Sequence, residues 1–389
     1  MTRLAAKPQG TGSRDGSIVD AASLANAATR QLRAYDPGHD LPALRKHYGA
    51  ALAELGSNEN PLGPSPRAIA AIEVALPEVL RYPDPSGAAL KTALAAHLRV
   101  DAAQIALGNG SHELLMLIAQ CFADASTSIM FSEFGFAVFP IATAAAGAQA
   151  IRVPALPRDH ATMPLGHDLD AMAGAIGTNR SGADTRIVYI ANPNNPTGTW
   201  FDDVVLGRFL ARVPETTLVV IDEAYHEYVT ASGLSTALRH LQHFPNVIVT
   251  RTFSKVYALA GLRIGYAVGS LSVIAVLERL RESFNVNNLA LAAAHAALGD
   301  QTHVVRAREW NFSEREWLAE RLRERNLRVL PSQTNFLLID FGRDAAPVER
   351  ALFEHGVIVR PMGGYGLPDC LRVSVGTRAE NECLLGALP

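Results

Sequence analysis

Six short β-branched runs punctuate the middle of this chain. They are Ser128-Ile-Met-Phe131, Ala150-Ile-Arg-Val153, Arg186-Ile-Val-Tyr-Ile190, Thr217-Leu-Val-Val-Ile221, Val247-Ile-Val-Thr250 and Ile264-Gly-Tyr-Ala-Val268. Each is continuously apolar rather than alternating, as strands covered on both faces must be. Helical patterns separate them, among them Asp202 to Arg212 and Ser235 to His243. Strand-helix alternation predicts an α/β domain with a mostly parallel sheet flanked by helices. Ligands of such folds sit at the carboxyl ends of the strands.

Further helices are expected over Ser270 to Glu282, Asn287 to Leu298 and Val304 to Arg325. The pattern then changes. Phe336-Leu-Leu-Ile339, a helix near Pro347 to His355, Val357-Ile-Val359 and Leu371-Arg-Val-Ser-Val375 predict a smaller α+β unit. The expected division is an N-terminal arm and helix over 1–50, a large domain over 51–289 and a small domain over 290–389. A length of 389 residues accommodates two domains.

Composition excludes several classes. A net charge of −3, without a basic cluster interleaved with aromatics, argues against nucleic acid. The N-terminus lacks the apolar stretch of a signal peptide. The uncharged run from Phe134 to Ile151 contains Gly135, Pro140 and Gly147, so a buried strand-loop-helix segment is expected there and not a membrane span. Cys121, Cys370 and Cys383 show neither metal-ligand spacing nor a disulfide framework, which fits a reducing cytoplasm.

The chemistry is concentrated at the strand ends. In Thr252-Phe-Ser-Lys255 an apolar run delivers Lys255 into a turn of small and polar residues, and Arg263 follows eight positions later. A lysine at the end of a buried strand can lose its proton and become a nucleophile. An arginine close by can clamp a phosphate bidentately. Together they suggest covalent capture of a phosphorylated aldehyde cofactor.

Four other segments point to the same kind of site. Gly108-Asn-Gly-Ser-His-Glu113 opens a helical run, and its backbone N–H groups and Ser111 can face a phosphate. An ordinary Ser N-cap would look the same. Ala191-Asn-Pro-Asn-Asn-Pro-Thr-Gly198 is a loop fixed by two prolines that would hold Asn195 at a strand end. Val219-Val-Ile-Asp-Glu-Ala-Tyr225 places Asp222 where the sheet is buried, and a buried carboxylate needs a cationic partner such as a pyridinium N–H. A helix N-cap is the plainer explanation of Asp222. Arg360 and Arg372 sit beside or inside apolar strands, where their anionic partners belong either to a substrate or to structural salt bridges.

Taken in order, these segments resemble the fold-type I pyridoxal-5′-phosphate enzymes, and within them the aminotransferases. The similarity runs from about residue 35 to the C-terminus. Ser57-Asn-Glu-Asn-Pro-Leu-Gly-Pro-Ser-Pro66, Arg81-Tyr-Pro83 and Tyr365-Gly-Leu-Pro-Asp-Cys-Leu-Arg-Val-Ser-Val-Gly376 resemble the histidinol-phosphate aminotransferase branch most closely. The resemblance implies a seven-stranded sheet, a cytoplasmic homodimer and pyridoxal 5′-phosphate as cofactor. An amino donor and a 2-oxo acid acceptor would be its small-molecule partners. Lys255 would carry the cofactor and shuttle the proton. Asp222 would hold the pyridine nitrogen protonated, and Asn195 and Tyr225 would hydrogen-bond the ring oxygen. Gly110, Ser111, the backbone at His112, Thr252, Ser254 and Arg263 would hold the phosphate. Phe134 would stack on the ring, in a position where the family more often has Tyr. Tyr82 would reach the phosphate of the neighbouring subunit. Tyr35, Arg360 and Arg372, with Asn195, would grip the substrate.

The reaction implied is transamination of L-histidinol phosphate with 2-oxoglutarate, a step of histidine biosynthesis. An aromatic amino acid such as phenylalanine is the alternative donor. A fold-type I decarboxylase or lyase of a phosphorylated amino acid would use the same lysine, aspartate and arginines. A non-catalytic cofactor-binding regulator would need a DNA-binding domain, for which the stretch before the first family-like segment leaves too little room.

Overall fold

A computed structural model of the chain describes residues 21–32, 41–176 and 183–389. Seven strands form the central sheet, in the order Ile105–Gly108, Gly265–Val268, Val247–Thr252, Leu218–Asp222, Asp184–Ala191, Thr127–Ser132 and Gln149–Val153. The five strands from Val247–Thr252 to Gln149–Val153 pair in parallel. Gly265–Val268 runs antiparallel to both its neighbours, so one strand of the predicted parallel set is reversed. The inner strands are apolar because both faces are covered. On one face Val188, Ile190, Val219, Ile221, Val247 and Val249 pack with Phe201, Leu206 and Phe209. On the other, Ile129, Tyr189, Val220 and Ile248 pack with Leu114, Leu115, Ile118 and Phe139.

A second sheet is antiparallel, in the order Arg360–Pro361, Cys370–Ser374, Phe336–Asp340 and Arg328–Val329. Its apolar face packs with Leu318, Leu322, Leu352 and Leu384. The strand Ala53–Glu54 pairs in parallel with Val357–Ile358, which ties the chain just before the Ser57-Asn58 segment to the C-terminal unit. The helix Asn288–Leu298, capped by the Asn287 side chain, buries Ala290, Ala293 and Ala294 in one cluster with Leu90 and Leu94.

Two local expectations change. The segment from Ser235 to His243 is a single 3-10 turn, Ala237–His240, and not an α-helix. The Ala237 N–H and the Thr236 hydroxyl are drawn to the buried Glu223 carboxylate, at 2.5 and 2.8 Å, which pins the start of the segment. Gln149–Val153, which contains the run Ala150 to Val153 expected to be covered on both faces, is the edge strand of the sheet and is exposed along most of its length, as Arg152 requires. The strand Ile105–Gly108, which the sequence did not reveal, is buried throughout. Among the described residues no helix is long and apolar enough to cross a membrane.

Candidate active site

The carboxyl ends of the parallel strands and the inner edge of the second sheet enclose a cavity of about 700 Å³. Lys255, Asp222, Tyr225, Asn195, Ser111, His112, Thr252, Ser254, Arg263, Arg360 and Arg372 all line it.

Asp222 is the last residue of its strand, 4 % exposed, and accepts a hydrogen bond from Thr250 on the adjoining strand at 3.2 Å. Among the described residues no cation lies within ion-pair distance of its carboxylate. Burial therefore pushes its pKa up to about 7, with the Thr250 bond opposing. Lys255 follows Val247–Thr252, whose end reverses through Phe253 and Ser254. Its ammonium donates to the carbonyls of Ser57 and Asn58, at 3.1 and 3.2 Å. Burial, then the positive charges of Arg372 and Arg263, bring its pKa down to about 7. A lysine so placed spends much of its time as a free amine near neutral pH, which is what a nucleophile and proton carrier require.

The loop after Asp184–Ala191 contains cis peptide bonds at Asn192-Pro193 and Asn195-Pro196. It holds Asn195 so that its Oδ1 accepts from Arg372 at 2.7 Å. The Asn195 amide N–H groups are thereby left for a ligand oxygen. Arg372 also donates to the Gly56 carbonyl at 2.8 Å, and its guanidinium lies 5.3 Å from the Phe336 ring centroid. Tyr225 is buried, and its hydroxyl, pushed up to about 12 chiefly by burial, belongs to the same cluster.

At the other end of the cavity the helix Ser111–Phe122 begins with no side-chain cap on Gly110. Gly110 has φ 85°, and a Cβ there would collide with the Arg263 guanidinium. A Cβ on Gly265 would meet the Ser111 amide at 2.5 Å. Only glycines let the helix terminus and Arg263 come this close, and together they present free amides and a positive charge. Arg263 donates to Ser254 Oγ at 3.3 Å and to the Ala260 carbonyl at 2.9 Å. This cradle fits a phosphate, the orphaned Asp222 carboxylate fits a protonated ring nitrogen, and the Lys255 amine fits an aldehyde. The residues thus suit pyridoxal 5′-phosphate.

Two expected side chains do not line the cavity, and a third falls outside the described residues. Phe134 does not line the cavity but packs with Leu165, Leu330, Leu338 and Met362, while Phe136 lines the wall. Asn194 donates to the Phe134 carbonyl at 2.9 Å, so the Phe134 backbone is tied down behind the site. Tyr82 is 82 % exposed and stacks on Phe284 at 4.8 Å. Tyr35 lies outside the described residues. Sequence reasoning gave no role to Asn58, Glu59 or Tyr365, which also line the cavity. Ser57-Asn58-Glu59 and Tyr365 carried only the resemblance, because nothing local shows that they fold onto Lys255.

The model of the aminotransferase class I and II family matches residues 51–388. The chain belongs to the class I and II aminotransferases. It is 48% identical over 369 residues to histidinol-phosphate aminotransferase 2 of Pseudomonas fluorescens (strain Pf0-1), covering 94% of this chain and 96% of that protein. It is also 48% identical over 374 residues to histidinol-phosphate aminotransferase 2 of Pseudomonas aeruginosa, covering 95% and 98%. The fold matches a crystal structure of histidinol-phosphate aminotransferase from Sinorhizobium meliloti in complex with pyridoxal-5′-phosphate. That match has a TM-score of 0.84 and 34% identity and covers 94% of this chain and 97% of that one. The aminotransferase therefore has the large and small sheets of the fold-type I class, with its cavity between them.

Proposed function

We propose that this aminotransferase uses pyridoxal 5′-phosphate to transfer an amino group between L-histidinol phosphate and 2-oxoglutarate. The observation that carries the reading is the pairing of Lys255 and Asp222 in one cavity, with pKa values displaced in opposite directions. Near-full-length similarity to histidinol-phosphate aminotransferases supports the choice of donor.

When bound, the cofactor supplies an aldehyde that holds the substrate nitrogen and a ring that accepts the electron pair released at the substrate carbon. The protein does the rest. Ser111, the amide of His112, Thr252, Ser254 and Arg263 hold the phosphate. The Asp222 carboxylate keeps the ring nitrogen protonated, and the contact with that cation returns Asp222 to its charged form. Asn195 and Tyr225 donate to the ring hydroxyl oxygen. The Lys255 amine would take the proton from the substrate carbon and return it. Arg360 and Arg372, one on each of two paired strands, bind the anionic end of the substrate.

Supply of the donor alone tests the reading. Histidinol phosphate should convert the bound cofactor to its amine form stoichiometrically, and 2-oxoglutarate should restore the starting absorbance. Conversion by phenylalanine and not by histidinol phosphate would replace the donor. Release of carbon dioxide or ammonia would replace the reaction.

The functional unit in this reading is a cytoplasmic homodimer. Val74, Val79, Leu80, Tyr82, Leu280 and Phe284 are large apolar side chains left exposed, and Tyr82 stacks on Phe284, as side chains awaiting a partner surface would. Tyr82 would reach the cofactor phosphate of the partner. The proposed division of the chain remains an arm over 1–50, a large domain over 51–289 and a small domain over 290–389.

A further inference from the structure

Asn58 has no part in the steps above, yet it touches two residues that do, Lys255 and Tyr225. It is 1 % exposed and sits in the left-handed region, with φ 57°. Its backbone N–H donates to Ser374 Oγ at 2.8 Å, and the Ser374 hydroxyl donates back to Asn58 Oδ1 at 3.1 Å. Its carbonyl accepts from Lys255 at 3.2 Å and from Asn335 Nδ2 at 3.0 Å.

The Ser374 contact decides which way the Asn58 amide faces. With Oδ1 engaged by the serine, Nδ2 points to Tyr225 and donates to its hydroxyl oxygen at 2.9 Å. An amide N–H can only donate, so the phenol accepts there and must spend its own proton elsewhere. The charged and titratable groups that bear on Tyr225 are Arg372, Asp222, Tyr365 and Lys255. Arg372 offers donors only, and the Lys255 ammonium lies 5.8 Å away over the ring face. Asp222 is engaged by Thr250 and reserved for the ring nitrogen. Tyr365 accepts from the Ala137 N–H at 3.2 Å, and among the described residues none accepts a hydrogen bond from the Tyr225 hydroxyl, so the remaining direction is into the cavity.

We propose that Asn58 is a positioning residue. It fixes the direction in which Tyr225 donates its hydroxyl proton, toward the ring oxygen of the cofactor, and makes Tyr225 a stronger donor by hydrogen-bonding its oxygen. The inference rests on the cofactor assignment proposed above. A strong donor leaves the ring oxygen less basic, so the Lys255–cofactor linkage gives up its proton at lower pH. A weaker donor raises that pH.

The test is Asn58→Gly. Glycine adopts φ 57° without strain and keeps the backbone contacts to Ser374, Lys255 and Asn335, so only the amide side chain is lost. The readout is the pH midpoint at which the absorbance of the lysine-bound cofactor changes. Asn58→Gly should raise it by about half a unit to one unit, the worth of one neutral hydrogen bond. In a Tyr225→Phe background the same substitution should move it no further. An unchanged midpoint in Asn58→Gly, or an equal shift with and without the Tyr225 hydroxyl, would overturn the inference. If Asn58→Gly does not fold, Asn58→Asp answers the same question. Its carboxylate accepts a hydrogen bond from the Tyr225 hydroxyl and turns it from the cofactor, so the midpoint should rise more than it does in a Tyr225→Phe background, and an unmoved midpoint or an equal shift in both overturns the inference. A wild-type protein with no titrating chromophore would overturn the cofactor reading, and this inference with it.

Discussion

Asp222 and Glu223 are neighbours in the chain, both carboxylates and both buried, and they have opposite fates. Glu223 is fully engaged. It accepts from Arg251 at 2.8 and 2.9 Å, from Thr236 at 2.8 Å and from the Ala237 amide at 2.5 Å. Burial works against its charge, but Arg251 and these donors hold it below the usual carboxylate range. Asp222 has only the Thr250 hydroxyl and the Ala224 backbone, with no cation in contact, and burial pushes it up to about 7. The difference separates a structural carboxylate from one kept in reserve. A buried carboxylate that already holds a cation and several donors is closed to chemistry, whereas a buried carboxylate without a cation is stabilised by a ligand that brings one. Lys255 completes the contrast. It is a cation whose contacts are two backbone carbonyls, while Arg251 has Glu223 and, at 3.8 Å, Glu227.

The largest way to break this contrast is Lys255→Ala. Turnover should fall by at least about 10⁴-fold, because nucleophile and proton carrier are lost together. The absorbance of the lysine-bound cofactor should vanish as well. Normal turnover in that variant would remove Lys255 from the mechanism.

Arg251→Met strikes the closed pair instead. It leaves Glu223 charged and buried, and should cost about 3–5 kcal/mol in urea unfolding. Adding Glu223→Gln should recover part of that loss. A stability equal to wild type in the single variant would mean that the pair is not structural.

Asp222→Asn sharpens the comparison from the other side. With cofactor bound, the single-turnover rate of proton removal should fall about 10²-fold, since the amide cannot hold the ring charge. In the cofactor-free protein the effect is on stability. The folded-state pKa of Asp222 lies above its value in the unfolded chain. Its contribution is complete below about pH 4 and is lost as pH rises through about 7. Wild type should therefore lose up to about 4 kcal/mol relative to Asp222→Asn across that window. Parallel unfolding curves at pH 5 and pH 8 would contradict the displaced pKa.

The sequence carried this contrast only in part. Continuous apolar runs such as Thr217 to Ile221 and Val247 to Thr250 placed the inner strands, because burial on both faces leaves a local pattern. The same logic put Asp222 at a buried strand end. The reversal of Gly265–Val268 was hidden, since an apolar run reads alike in either direction. The pairing of Ala53–Glu54 with Val357–Ile358 was hidden too, because two residues are too few to show a period. Asn58 and Tyr225 are 167 positions apart, and no spacing rule joins them. Nothing local marked Glu223 as buried and paired, because its partner Arg251 lies on the next strand.

The most direct measurement is to locate the cofactor. The chain has four lysines, Lys7, Lys46, Lys91 and Lys255. Borohydride reduction of the protein loaded with pyridoxal 5′-phosphate, followed by peptide mapping, distinguishes them. One label per chain is expected, on Lys255 in the wild type and absent in Lys255→Ala. A label on Lys46 or Lys91 with Lys255 unmodified would contradict it.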